Sequence, residues 1–235
     1  MSASPEEGGP AVLPFYVVCD ESSSMSGAST DAVNAGIASL FRAISGDPVV
    51  DEKARVGIIT FNDSSKVLLP LTQLTNVTQV PGCVASGSTS YASVFRLLRS
   101  EIEKDVDRLK NAEGYRVHRP MVFFMSDGAP NPEDWRTPLG ELVDVNFAYR
   151  PNIVSFGVAG ADPAVIKEVS TPLTVGGPKK ESFAFLADHG IDPGPALKEI
   201  MKFITQTIVT SAKQDQPTMT MPDLSHVGVL RIDSV

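Results

Sequence analysis

Several residue types are scarce in this chain of 235 residues, and each shortage narrows the possible functions. It has only two cysteines, Cys19 and Cys83, and three histidines that share no spacing typical of zinc ligands. Neither a disulfide framework nor a zinc site is therefore expected, and the cytoplasm is the expected compartment. Basic residues number 20 against 28 acidic ones, which gives a formal net charge of -8. So acidic a protein is not expected to bind nucleic acid or an anionic membrane.

Targeting segments and familiar enzyme motifs are also missing from the sequence. The first ten residues carry no basic cluster and the apolar stretch after them is short, so neither a signal peptide nor a membrane span is expected. The chain contains no Gly-x-Ser-x-Gly elbow and no P-loop, which disfavours a serine hydrolase and a nucleotide-binding domain. Its composition, 42% hydrophobic and 20% charged, is that of a soluble globular protein.

Strand-like and helix-like segments alternate along most of the chain. Strands are predicted at residues 13–20, 55–61, 66–71, 121–126 and 152–158, with a weaker one at 183–186. Helical periodicity covers 33–44, 91–109 and 197–208. The short connection 62–65 makes its two flanking strands an antiparallel pair. The pattern predicts an α/β fold with a mostly parallel sheet, one antiparallel edge strand and helices on both faces.

This periodicity also suggests how the chain is divided. We expect a flexible N-terminal segment at residues 1–12 and one domain at 13–213. Residues 214–235 are expected to form a linker or tail, with one possible extra strand near 227–232.

Oxygen-bearing side chains follow two of the predicted strands and precede one of the predicted helices. Asp20 ends the first strand and opens a serine-rich loop, and Asp127 ends the strand at 121–126. Carboxyl ends of parallel strands meet at one edge of a sheet, where ligands bind. Oxygen-only ligands suit Mg²⁺ or Mn²⁺. The sequence therefore predicts a divalent-metal site built from Asp20, Ser22, Ser24, Thr89 and Asp127.

The order of these residues resembles the metal-ion-dependent adhesion site (MIDAS) of von Willebrand factor A (vWA) domains. Asp20, Ser22 and Ser24 match its Asp-x-Ser-x-Ser element, Thr89 its threonine and Asp127 its later aspartate. The resemblance covers residues 13–213 and implies a Rossmann-like, three-layer fold. It also implies that the serines and the threonine contact the metal directly, that the aspartates act partly through water, and that a partner's Glu or Asp takes the open position. Ser23 stands where glycine is commoner.

Within that family the chain is similar to bacterial tellurium-resistance proteins of the TerY type. The similarity lies in residues 13–16, 114–120 and 123–128 and in Trp135. It implies a role in tellurite resistance or stress response, beside kinase or phosphatase partners.

Two functions from different classes follow from the predicted site. The first is a non-enzymatic adaptor that binds an acidic side chain of a partner protein through the metal, with no catalytic or organic-cofactor residues. The alternative is a Mg²⁺-dependent phosphohydrolase with Asp20 as nucleophile. Such an enzyme predicts a second acid at position 22 and a positioned Lys, whereas the chain has Ser22 there.

Other conspicuous residues have simpler expected roles. Glu21 is expected to face solvent, and Trp135 either lines the rim of the site or packs a short helix. Arg116, His118 and Arg119 form a small basic cluster that we interpret as a solvated surface.

Overall fold

A computed structural model of the protein describes residues 9–127, 130–158, 160–174, 180–187, 193–214 and 229–231. Over these residues the strands are β1 (Ala11–Asp20), β2 (Ala54–Phe61), β3 (Ser65–Thr72), β4 (Arg116–Val117), β5 (Met121–Ser126), β6 (Asn152–Gly157), β7 (Pro172–Thr174), β8 (Lys180–Ser182), β9 (Ala184–Ala187) and β10 (Val229–Arg231). The helices are α1 (Ala28–Ser45), α2 (Pro48–Lys53), α3 (Tyr91–Asp107), α4 (Arg136–Val143), α5 (Pro163–Val169) and α6 (Pro193–Lys213).

The central sheet has the strand order β10-β9-β6-β5-β1-β2-β3, and β4 pairs with the start of β1. All neighbours from β9 to β2 are parallel. β3 pairs antiparallel with β2, so the predicted antiparallel edge strand is confirmed. A second antiparallel strand, β10, lies at the opposite edge beside β9, within the segment where an extra strand was considered possible. The rest of the tail, 215–228 and 232–235, and residues 1–8 lie outside the described residues.

Helices cover both faces of the sheet, as the alternating pattern predicts. Successive side chains of β1 point to opposite faces, so Phe15 and Val17 join the core beneath α1 and α6, while Tyr16 and Val18 join the core beneath α3 and α4. The predicted three-layer α/β architecture is confirmed.

The two cysteines are free and buried in the core beneath α1 and α6. Interaction with the neighbouring Cys83 thiol, together with burial, raises the pKa of the Cys19 thiol. Among the described residues, no helix combines the length and the apolar character that crossing a bilayer requires.

Candidate metal centre

Asp20 and Asp127 lie at the carboxyl ends of two neighbouring parallel strands. Asp20 is the last residue of β1 and Asp127 directly follows β5, and the two strands pair with Cys19 opposite Met125. From β1 the sheet continues to β2, and from β5 it continues to β6 in the other direction. The strand order therefore reverses between β1 and β5, which is where open α/β sheets bind ligands.

The Asp20 carboxylate is almost completely buried and both of its oxygens accept hydrogen bonds. The backbone N–H of Ser22 donates to Oδ1 over 2.8 Å, and the hydroxyl of Ser126 donates to Oδ2 over 2.6 Å. The side chain of Tyr91, the first residue of α3, hydrogen-bonds Ser126 in turn. These contacts fix the orientation of Asp20 from both sides of the site.

The hydroxyls of Ser22 and Ser24 converge on the Asp127 carboxylate. Their Oγ atoms are 3.0 Å apart, and they donate to Asp127 Oδ1 over 3.3 Å and 3.0 Å respectively. The other oxygen, Oδ2, is buried and has no hydrogen-bond partner among the described residues. Three oxygen-bearing side chains from two distant parts of the sequence thus share one small volume.

Thr89 lies on a third loop that is bonded to the serine loop. Gly87 accepts a backbone hydrogen bond from Ser23 over 3.0 Å, and Glu21 accepts one from Ser86 over 2.6 Å. Asn131, which follows β5, exchanges hydrogen bonds with the Thr89 backbone over 3.3 Å and 2.8 Å. In the described part of the chain, the Thr89 side chain makes no hydrogen bond to the other four predicted ligands. The Thr89 loop therefore lies at the same edge of the sheet as the other four predicted ligands, but the Thr89 side chain does not hydrogen-bond them within the described residues.

Glu21 does not face solvent, so that expectation was wrong. Its side chain is 1% exposed, and Oε2 forms an ion pair with Lys66 Nζ over 2.8 Å. Oε1 accepts a hydrogen bond from the backbone N–H of Val84 over 3.0 Å. Glu21 therefore ties the serine loop to β3 and to the loop that carries Thr89.

Two residues that follow Asp127 support the start of α3. Glu133 accepts hydrogen bonds from the Ser90 hydroxyl over 2.9 Å and from the Ala92 N–H over 3.1 Å. Trp135 is 3% exposed and packs edge-on against Tyr91 with ring centroids 5.7 Å apart. Of the two roles considered for Trp135, packing is the one the structure shows.

Burial perturbs both carboxylates of this site. It raises the pKa of Asp20 to about 6, with the nearby charge of Asp127 acting in the same direction and the hydrogen bonds from Ser126 and Ser22 opposing it. Burial also raises the pKa of Asp127, against the hydrogen bonds from the two serines. Neither carboxylate forms an ion pair within the described residues. The site thus concentrates negative charge that a cation would stabilise.

The chemistry of the donors narrows the kind of cation. No three His, Cys, Asp or Glu side chains of the described residues form a metal-binding cluster, so the candidate donors are two carboxylates and neutral hydroxyls. Hard cations that prefer oxygen, such as Mg²⁺ and Mn²⁺, suit this set.

Solved structures with a similar fold include a protein whose metal site is occupied. Proximal thread matrix protein 1 from the mussel byssus aligns with a TM-score of 0.56 at 14% identity, over 86% of this chain and 49% of that one. Another structure of that protein, described as having a zinc-occupied MIDAS motif, aligns equally well at 15% identity, over 86% and 48%. The vWA2 paralog of ArnB from Sulfolobus acidocaldarius aligns less closely, with a TM-score of 0.46 at 15% identity, over 69% and 39%.

Sequence comparison gives the family directly. The chain spans about half the length of the mussel structures, and at these identities they show the fold alone. No curated protein shows significant sequence similarity to it. The model of the von Willebrand factor type A domain, however, matches residues 15–189, which is most of the chain. The protein therefore belongs to the von Willebrand factor type A domain family.

Proposed function

We propose that this protein is a divalent-metal-dependent interaction module that binds an acidic side chain of a partner protein. Asp20, Ser22, Ser24, Thr89 and Asp127 would hold Mg²⁺ or Mn²⁺ at the edge of the sheet. Protein interaction, commonly metal-dependent, is the general role of its family.

The observation that carries this proposal is the state of Asp127. One of its oxygens accepts two serine hydroxyls, and the other is buried without a partner among the described residues. An unsatisfied buried polar group costs roughly 1–3 kcal/mol, and more if it is charged. A cation bound between the serines and Asp127 would remove this cost.

The number of candidate ligands leaves one coordination position for a group from a partner protein. Mg²⁺ prefers about six ligands in octahedral geometry, and the candidate site offers five side chains. The metal supplies a concentrated positive charge, which lets an acidic domain hold a further carboxylate despite its net charge of -8. We therefore propose Asp or Glu of a protein as the recognised group.

Calorimetric titration of the metal-free protein with Mg²⁺, Mn²⁺ and Zn²⁺ tests the site. Saturable binding of Mg²⁺ or Mn²⁺ is expected. Ser24→Ala and Asp127→Asn should each weaken it about tenfold or more, because the first removes a hydroxyl ligand and the second removes the negative charge of a carboxylate ligand. Asp31→Asn, in an exposed aspartate of α1, is the matched control and should leave the affinity unchanged. Equal affinities in all four proteins would refute the assignment.

The geometry gives less support to a phosphohydrolase. A nucleophilic carboxylate must reach the phosphorus atom of a substrate, whereas Asp20 is only 2% exposed. A metal ligand needs no such access, because it can act through a bound water. Phosphomonoester turnover with Mg²⁺ that disappears in Asp20→Asn would favour the enzyme over the adaptor.

We further propose that the module acts in a bacterial tellurite-resistance or stress-response system with kinase or phosphatase partners, in the cytoplasm. The support is the similarity of residues 114–120 and 123–128 to proteins of the TerY type. Affinity purification from cell extract, with Mg²⁺ in one arm and a chelator in the other, should recover such partners only when the metal is present. The same proteins recovered in both arms would contradict metal-dependent capture.

A further inference from the structure

A small cavity lies at the edge of the sheet opposite the candidate metal centre. It has a volume of about 130 Å³ and opens where the amino ends of β1, β5 and β6 meet. Its polar lining comes from His118, Arg119, Asn152 and Ser211, and Leu13 and Phe15 contribute to its apolar lining. Leu13 and Asp20 are seven residues apart on β1, so about 23 Å separates the two edges. The cavity is therefore independent of the proposed metal site.

Two of the polar side chains that line this cavity, His118 and Arg119, make few hydrogen bonds within the described residues. His118 Nε2 is buried and has no hydrogen-bond partner among the described residues. Arg119 reaches the side-chain oxygen of Asn152 only at 3.5 Å, which is the outer limit for a hydrogen bond. An imidazole and a guanidinium thus border the same space with unused capacity to donate.

Positive charge accumulates around the cavity. The charge of Arg116 adds to burial in lowering the pKa of His118, and the charge of Arg150 adds to burial in lowering the pKa of Arg119. None of these three arginines forms an ion pair with a carboxylate in the described part of the chain. Unpaired cations at one edge of a protein with a net charge of -8 attract an anion to that edge.

The volume of the cavity limits the size of the anion that it can hold. Pockets that enclose drug-sized ligands measure roughly 300–1,000 Å³, so 130 Å³ admits only a group of a few heavy atoms. Guanidinium and imidazole N–H groups form charge-assisted hydrogen bonds with tetrahedral oxyanions.

We propose that this cavity binds a phosphate group, either as the free ion or as a small phosphoester, through His118 and Arg119. Arg116 and Arg150 add favourable charge at the rim. The basic cluster that the sequence suggested to be a solvated surface is then a binding site.

Titration of the isotopically labelled, metal-free full chain by NMR tests this proposal at constant ionic strength. Removing divalent metal prevents phosphate from binding through a cation at the opposite edge. Inorganic phosphate should produce saturable shift changes confined to residues around His118 and Arg119, and chloride should not. Saturable binding of phosphoserine as well would identify the phosphoryl group as sufficient, whereas binding of phosphate alone would identify the free ion.

Single substitutions distinguish a specific phosphate site from non-specific electrostatic attraction. Arg119→Ala should weaken phosphate binding about tenfold or more, as expected for the loss of a charge-assisted hydrogen bond. His118→Gln should weaken it as well, while Arg96→Ala, an exposed arginine on α3, should not. The thermal unfolding midpoint of each variant checks that it is folded. Absence of saturation with millimolar phosphate, or an equal loss in Arg96→Ala, would overturn the proposal.

Discussion

At the scale of single residues, the buried carboxylates of the candidate metal centre lower the stability of the metal-free protein. A carboxyl group whose pKa is raised in the folded state binds its proton more tightly there than in the unfolded state. The pKa of Asp20 rises from its usual 3.8 to about 6, mainly because of burial. As the pH rises from about 4 to 6, the unfolded state gains more from ionisation than the folded state does. The penalty is absent below pH 4 and complete above pH 6.

Asp20→Asn should therefore remove this pH-dependent penalty from the metal-free protein while abolishing metal binding. The substitution also loses one of the two hydrogen bonds that Asp20 accepts, and that loss is the same at every pH. The difference in unfolding free energy between the variant and the native protein should grow from pH 4 to pH 6 and then stay constant. Its upper limit is roughly 3 kcal/mol, from about 1.4 kcal/mol per pKa unit. Chemical denaturation across this pH range measures it. A difference that does not vary between pH 4 and pH 7 would contradict the burial argument.

The sequence predicted the ends of the strands that carry Asp20 and Asp127, because each follows a continuous apolar run. It did not predict Glu21 or Asn131 as supports of the neighbouring loops. Both side chains are polar and lie in segments without periodicity, so only the meeting of distant loops reveals their partners. Glu21 was expected to face solvent because it occupies a variable position of the Asp-x-Ser-x-Ser element, and nothing local indicates its partners Lys66 and Val84.

At the scale of elements, the loop before α3 depends on a glycine. Gly87 has φ +76°, and a Cβ added to it would lie 2.2 Å from Asp63 Oδ2. Asp63 accepts hydrogen bonds from the backbone N–H and the hydroxyl of Ser88, the residue before Thr89. A side chain at position 87 would therefore displace the carboxylate that orders this loop.

Gly87→Ala should weaken metal binding and also reduce stability by more than the roughly 1–2 kcal/mol that the left-handed backbone alone costs. Gly114→Ala is the matched control, since its φ is +72° and nothing lies within 4 Å of an added Cβ. Gly114→Ala should lose only the stability that the left-handed backbone costs, and it should bind the metal as tightly as the native protein. Calorimetry and denaturant unfolding on both variants provide the comparison, and unchanged affinity in Gly87→Ala would show that this loop does not serve the site.

Packing between α1 and α6 gives a second prediction at this scale. A Cβ at Gly36 would lie 2.4 Å from Met201 Cγ and 2.5 Å from Met201 Cβ, whereas one at Gly140 of α4 would meet nothing within 4 Å. Gly36→Ala should therefore destabilise the protein by about 1–3 kcal/mol through overpacking. Gly140→Ala should stabilise it by roughly 0.5–1 kcal/mol through helix propensity. A gain of stability in Gly36→Ala like that expected for Gly140→Ala would show that α1 and α6 are less tightly packed than described.

The mostly parallel sheet, its antiparallel edge strand and the helices on both faces could be predicted from periodicity, the short connection 62–65 and the right-handed crossover rule. The second antiparallel edge strand, β10, is only three residues long and lacks a pattern that identifies its partner. Pairing between distant segments of this kind depends on which edge of the sheet is open, and that information is not local.

At the scale of the whole molecule, the fold separates two regions of opposite charge. The carboxyl ends of the strands bring together buried carboxylates and hydroxyls, and their amino ends bring together three arginines and a histidine. Because the protein has a net charge of -8, the proposed recognition of an acidic partner would depend on a cation held at the first of these edges.

The position of the bound metal tests this account most directly. In crystals soaked with Mn²⁺, anomalous scattering should give one strong peak at coordination distance from Ser22 Oγ, Ser24 Oγ and the Asp127 carboxylate. The Thr89 hydroxyl should turn toward the same peak, and an open position should face solvent or a neighbouring carboxylate. A peak elsewhere, or no peak beside Asp127 at saturating Mn²⁺, would contradict the proposed metal site.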